Sequence, residues 1–259
     1  MAIYDKKHRM RVLIIFRKLT TVFKIVRCEL NPFITGGNFV KYNKYPHSVY
    51  IVFACNFRFL CGGSVLNQAI ILTSAHCFEG CDVKKYEKVE VKYGHEKITN
   101  MKSVNMKKFV LHEKFDDSSL IHDVSLLLTV KNIPLSNSVK RVVLMKRPPT
   151  AEYAYVSGWG MDEKNKLQAA MKHTYARIQK TEVCKSMGSL PWGVFCAGPL
   201  TGVGAADEGD SGGALVVNDC IQIGLVSYKV RKLSLVAYTN VSLYLDWIKK
   251  HARALRCSG

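Results

Sequence analysis

Gly209-Asp210-Ser211-Gly212-Gly213, followed directly by Ala214-Leu-Val-Val217, decides the fold. The pentapeptide fits the Gly-x-Ser-x-Gly pattern of a nucleophile elbow. Such an elbow, however, leads into a helix, and a carboxylate and then a histidine follow it along the chain. Here a glycine pair and a β-favouring run follow, and the one later histidine, His251, lies in a stretch with helical spacing. The elbow reading fails, and the serine belongs to a turn before a strand. Upstream, Leu72-Thr-Ser-Ala-His76-Cys77 places a histidine just after an apolar run, and His122-Asp123-Val-Ser-Leu-Leu-Leu128 places a carboxylate at the start of another. Each string alone is most economically a turn or a structural residue. Together they supply a base, an orienting carboxylate and a hydroxyl, the three parts of serine-based acyl transfer. Their order is His76, Asp123, Ser211, with separations of 47 and 88 residues.

The surrounding sequence reads as many short strands. Apolar or alternating runs recur at Ser48–Ala54, Ile70–Thr73, Val89–Tyr93, Phe109–His112, Val124–Val130, Tyr153–Val156, Ala214–Val217 and Ile221–Tyr228, with glycine and proline turns between them. That spacing predicts a sandwich or barrel. Only Leu243–Leu255 has helical periodicity, and the lack of a strand–helix rhythm argues against a doubly wound sheet. The stretch 131–152, with Pro134, Pro148 and Pro149, is where the chain is expected to cross between two halves. The 259 residues are 48% hydrophobic and 22% charged, which excludes a disordered or collagen-like chain. No apolar run reaches the 18 residues or more of a membrane-spanning helix.

Thirty-eight Lys and Arg against 20 Asp and Glu give a formal charge of +18. No aromatic interleaving or nucleic-acid motif accompanies the excess, so it reads as a solvated basic surface rather than a nucleic-acid site. The nine cysteines form no CxxC or Cys/His metal spacing, so disulfides in an oxidising compartment fit better than zinc. Nine is odd, which leaves at least one thiol without an intrachain partner. Residues 1–33 hold eight basic side chains and read as a basic leader or pro-segment. Their apolar stretch Val12–Phe16 is short and runs into Arg17 and Lys18, a poor core for a secretory signal.

With Ile34-Thr-Gly-Gly37, Cys61-Gly-Gly-Ser64, Val156-Ser-Gly-Trp-Gly160 and Val226-Ser-Tyr228 added in order, residues 34–259 closely resemble the chymotrypsin-like (trypsin-fold) serine endopeptidases. The resemblance implies an all-β fold of two packed antiparallel six-stranded β-barrels with a C-terminal α-helix. The N-terminal barrel would span about 34–130, and the second barrel with its helix about 150–259. It implies Ser211 as nucleophile, His76 as general base and acid, and Asp123 as the group that orients the imidazole. The N–H groups of Gly209 and Ser211 would form the oxyanion hole, where a Cβ at position 209 would disfavour the backbone. Cleavage before Ile34 would free an ammonium to pair with Asp210. The disulfides implied are Cys61–Cys77 and Cys184–Cys196, each worth about 3 kcal/mol in the chain-entropy model. Cys55–Cys81 is an additional bridge, Cys220–Cys257 a weaker pairing, and Cys28 remains unpaired. No cofactor or metal is implied: the stretch from His95 to Lys108, where the family's calcium loop falls, has Glu96 as its only acid.

Several positions depart from the family pattern. Tryptic members carry aspartate where this chain has Ala205, so specificity for Lys or Arg is not expected. The cysteine four residues before the serine is Asp207, and its partner is missing from 228–236, so the disulfide bracing the specificity pocket is lost. Two pocket glycines become Lys229 and Val236, beside Ser227 and Tyr228, which narrows the slot. Lys229 either points to solvent or attracts an acidic substrate residue. Phe33 precedes Ile34, where a trypsin-like activator would not cut and a chymotrypsin-like one could. The expectation is a secreted, monomeric, non-tryptic serine endopeptidase acting on protein or peptide substrates and subject to an activating protease and protein inhibitors. The alternative is a poorly active homologue serving as a binding or regulatory module.

Overall fold

β-Branched and aromatic residues dominate the runs between turns, and most of those runs become strands because a pleated, half-buried surface suits them. The computed structural model describes residues 2–5, 9–12, 37–55, 58–79, 81, 89–162, 166–199 and 205–257. The chain divides into two units, Met1–Leu30 and Asn31–Gly259. In the first, Ala2–Asp5 (β1) and Arg9–Val12 (β2) pair antiparallel, a ladder the sequence reading did not anticipate.

The second unit opens with Asn38–Phe39 (β3). A closed barrel then follows from Ser48–Ala54 (β4), Arg58–Val65 (β5), Ile70–Thr73 (β6), Val89–Tyr93 (β7), Lys102–Leu111 (β8) and Ser125–Thr129 (β9), in the cyclic order β4-β5-β6-β9-β8-β7. β7 buries every second residue, as a strand with one face on a core must. β4 is buried along almost its whole length. Its Tyr50 packs edge-on against Trp159 of the other half, 5.8 Å between ring centroids.

The crossing at 131–152 carries Val143–Leu144 (β10), and after it come Tyr153–Gly158 (β11), Lys172–Arg177 (β12), Val194–Ala197 (β13), Ala214–Val217 (β14), Ile221–Val230 (β15) and Leu235–Asn240 (β16). They form an eight-stranded sheet in the order β13-β16-β15-β14-β11-β12-β3, with β10 alongside β15. All of its ladders are antiparallel except β10–β15. The mostly β fold with its terminal helix is as expected. Where a second six-stranded barrel was expected, the second half is an eight-stranded sheet: β12 and β13 share no ladder and are linked by the bridge Ile178–Ala197, neighbouring backbone bonds and Gln179 Nε2 donating to Gly198 O at 2.7 Å. The two halves are stitched by buried hydroxyls, Ser64 Oγ donating to Gln222 Oε1 at 2.7 Å and Ser48 Oγ lying 3.1 Å from Ser157 Oγ.

A single helical turn, Thr181–Cys184 (α1), precedes the C-terminal helix Leu245–Cys257 (α2). Asn240 opens the turn before α2 by accepting from Ser242 N–H. Leu245, Ile248 and Leu255 form the buried stripe of α2, and the latter two share a core cluster with Leu126 and Leu128 of the first barrel. No described helix is long and apolar enough to cross a membrane.

The bridges Cys55–Cys81, Cys61–Cys77 and Cys184–Cys196 are closed, with Cα separations of 5.1, 6.4 and 5.7 Å. The pairing Cys220–Cys257 is not made. Cys220 follows β14 and Cys257 ends α2, and both are free and exposed. Cys28 lies outside the described residues.

Candidate active site

The antiparallel register of β6 and β9 sets Thr73 opposite Ser125. His76 leaves the end of β6 three residues later, and Asp123 precedes β9 by two, so both emerge at the same end of neighbouring strands. His76 is pinned by the Cys61–Cys77 bridge on its next residue. Its approach is held by Thr73 Oγ1 donating to Gly62 O (2.8 Å) and Ser74 Oγ donating to Val226 O (2.9 Å). His122, with φ +57°, turns the chain into Asp123, and its Nδ1 lies 3.1 Å from Tyr244 Oη.

Asp123 is fully buried yet well supplied with donors. His76 Nδ1 lies 2.8 Å from its Oδ2, His76 N–H donates to Oδ1 at 3.0 Å, and Ser227 Oγ donates to Oδ2 at 2.6 Å. Burial alone would raise its pKa, but the imidazole charge and these hydrogen bonds outweigh it and hold the carboxyl low. Burial likewise pulls the His76 pKa down, and Asp123 reverses it, leaving the ring raised. A carboxylate can only accept, so the neutral ring carries its proton on Nδ1 and keeps an open lone pair on Nε2. Ser227, read from sequence as lining the substrate pocket, is buried and spends its hydroxyl on Asp123.

The loop that carries Ser211 is sewn to both halves. Gly62 N–H of β5 donates to Ser211 O at 2.7 Å, and Gly212 N–H donates to Val226 O of β15 at 2.8 Å. Ser211, Gly209 and His76 thus line one cleft of about 320 Å³, whose other walls include Phe59, Leu60, Met161 and Leu167. No motif pointed to those four apolar residues, because Phe59 and Leu60 of β5 and the bridged pair Met161 and Leu167 lie about a hundred residues apart in sequence. Gly209 has φ +93°. Met161 N–H donates to Glu208 O at 2.7 Å, and in the trans Glu208–Gly209 peptide this aims the Gly209 N–H the opposite way.

Asp210 is buried, its carboxylate accepting from Gly160 N–H (2.8 Å) and Asp207 N–H (3.1 Å). It lies so close to Gly158 and Gly160 that a Cβ on either would collide with it. Burial pushes its pKa up to about 6 even against those two donors. Ile34 lies outside the described residues.

The pocket wall differs from both sequence readings of Lys229. Its ammonium neither points to solvent nor stands open for an acidic ligand. It donates to Asp207 Oδ2 at 2.7 Å, with only 12% of its side chain and 9% of its partner's exposed. Two long-lived opposite charges meet there because neither could be left alone at that depth. Ala205 is buried, Val236 is fully buried opposite Lys229 in the β15–β16 register, and Tyr228 is half-buried.

A closed β-barrel joined to a second β-sheet, with a paired His–Asp and a serine along one cleft, is the arrangement of a β-fold hydrolase. The trypsin family profile matches residues 34–248, and the chain belongs to the trypsin family of serine endopeptidases. It is 30% identical to the trypsin Tyr p 3.0101 of Tyrophagus putrescentiae, over 86% of this chain and 82% of that protein. It is 30% identical to hypodermin-B of Hypoderma lineatum over 87% and 90%. Against a chymotrypsin of Phaedon cochleariae it is 27% identical over 85% and 82%. Like its family, it is a hydrolase of protein substrates.

Proposed function

We propose that Ser211, His76 and Asp123 form the catalytic triad of an extracellular endopeptidase of non-tryptic specificity. Ser211 Oγ attacks the scissile carbonyl as His76 Nε2 takes its proton. The imidazolium then returns that proton to the leaving amine, and water hydrolyses the acyl-enzyme by the same route. Asp123 fixes the tautomer and stabilises the imidazolium. The N–H groups of Gly209 and Ser211 receive the oxyanion. The observation that carries the reading is His76 Nδ1 at 2.8 Å from a buried, donor-rich Asp123 across the cleft from Ser211.

Specificity follows from the pocket wall. Ala205 offers no charge for a basic substrate residue, and side chains at Lys229 and Val236 in place of glycines would narrow the slot to small apolar residues. Cleavage between Phe33 and Ile34 would give a new ammonium, and Asp210, already buried and deprived of water, is the carboxylate that gains most from it. Three disulfides and the secreted habit of such enzymes support an oxidising, extracellular setting.

The test is fluorophosphonate labelling of the full chain after treatment with immobilised chymotrypsin, which is removed first. Labelling that disappears in Ser211→Ala is expected, and an unlabelled wild-type chain would reject the assignment in favour of an inactive homologue. Peptide-library profiling of the same material should favour small apolar residues before the scissile bond; a preference for Lys or Arg would refute the pocket reading.

A further inference from the structure

We infer that Asp207 and Lys229 are positioning residues, an ionic brace that holds the oxyanion loop in its working shape. The inference rests on the proposed triad chemistry. Asp207 is the hub of that loop. Its Oδ2 takes the Lys229 ammonium at 2.7 Å and its Oδ1 takes Glu208 N–H at 2.9 Å. Its own N–H donates to Asp210 Oδ2 at 3.1 Å, and its carbonyl accepts Asp210 N–H at 2.9 Å. One residue therefore ties both neighbours of Gly209, Glu208 through its carboxylate and Asp210 through its main chain, and the second of them precedes Ser211. Lys229 supplies the other end of the tie from β15, the strand that also carries Ser227 beneath Asp123.

The position explains why an ion pair can serve. The loop has to keep the Gly209 N–H turned away from Met161, a setting at φ +93° that glycine admits freely but does not enforce. Asp207 sits where the family pattern has a cysteine whose partner this chain lacks, so no covalent tie anchors the loop there. A buried, charge-assisted bond is directional and hard to break without leaving an unpaired charge. It is also neutral as a pair, so it fixes the wall without presenting a net charge to the substrate.

Three variants test the brace: Lys229→Met, which keeps the stem length, Asp207→Asn, which keeps the shape, and the two combined. Each is read by thermal melt, by the fluorophosphonate labelling rate and by kcat and KM on a small ester. Each single change should slow labelling and lower kcat about tenfold or more at temperatures where the protein is fully folded, because an ångström-scale displacement of catalytic groups costs that much. KM should stay within about twofold. The double variant should lose less than the sum of the two single losses, since both substitutions remove the same shared contact, giving clear non-additivity. Lys229→Arg, which keeps the charge, should retain most of the rate.

Single variants that fold and label at the wild-type rate would overturn the inference, as would strictly additive losses. A lowered melting temperature with unchanged kcat would assign the pair a purely structural role and reject it as well. If Lys229→Met does not fold, Asp207→Asn decides by the same criteria. A wild-type chain that never labels strikes the triad proposal instead, so the two failures are distinguishable.

Discussion

Asp123→Asn is expected to lower kcat by a factor on the order of 10⁴, the size this substitution has in the family's triad, while leaving fold and KM nearly unchanged. The amide is isosteric, so the cavity is refilled: His76 N–H keeps an oxygen at the Oδ1 place, and the Ser227 hydroxyl, which shares the Oδ2 place with the ring, can turn to accept from the NH₂. What changes is the atom facing His76 Nδ1. The carboxylate compels a proton onto Nδ1; the amide can instead turn its NH₂ toward that nitrogen, moving the ring proton to Nε2. A ring protonated at Nε2 cannot take the serine proton. The substitution also removes the charge that outweighs burial in raising the His76 pKa. Only the neutral ring is a base, so the acid limb of the residual pH–rate profile should move to lower pH. Steady-state kinetics across pH on the processed chain measure both effects. A variant within tenfold of wild type, with its acid limb unmoved, would refute the role given to Asp123.

The parts of this molecule that were legible in its sequence are those in which local pattern and tertiary role agree. Val89–Tyr93 and Ala214–Val217 are strands over the very residues their patterns mark, because burial there follows the pleat or covers both faces. Lys172–Arg177 was not legible. Its inward residues are Lys172, Thr174 and Ala176, and Lys172 is fully buried with its ammonium 4.7 Å from the Phe39 ring centroid, so no apolar alternation announces the strand. Arg58–Val65 hid behind its glycine pair, which admits the close approach of Gly213 and Val49 rather than filling a core. Phe109–His112 marked only the end of a ten-residue strand whose first half is largely exposed.

The site divides in the same way. His76, Asp123 and Ser211 each stand in a string whose composition is constrained on both sides by strand, turn or disulfide, so they could be singled out as candidates from the sequence alone. Asp207 and Lys229 carry no such context. Each is an ordinary charged residue 22 positions from the other, and only the register of β15 and the turn of the serine loop make them partners. Ser227 is an intermediate case: its string placed it at the pocket, and the fold turned its hydroxyl the other way.

Gly209→Ala should show what the oxyanion loop contributes without touching the triad. The residue sits at φ +93°, where an L side chain costs about 1–2 kcal/mol from its own backbone. The added Cβ would also lie 3.1 Å from Gly160 Cα and 3.5 Å from Leu167 Cδ2. The nearer contact is main chain and cannot relax by a rotamer change, so the loop must shift. The shift acts on the peptide that binds the oxyanion, and loss of one such donor costs about 10²–10³ in kcat. The charge it stabilises exists only in the tetrahedral intermediate, so KM for a small ester should change little. Fluorophosphonate labelling, which passes through a similar oxyanion, should slow in parallel. His76 and Asp123 are untouched, so the acid limb of the pH–rate profile should stay at its wild-type position, which separates this loss from that of Asp123→Asn. A folded Gly209→Ala chain with wild-type kcat and labelling rate would remove Gly209 from the oxyanion hole.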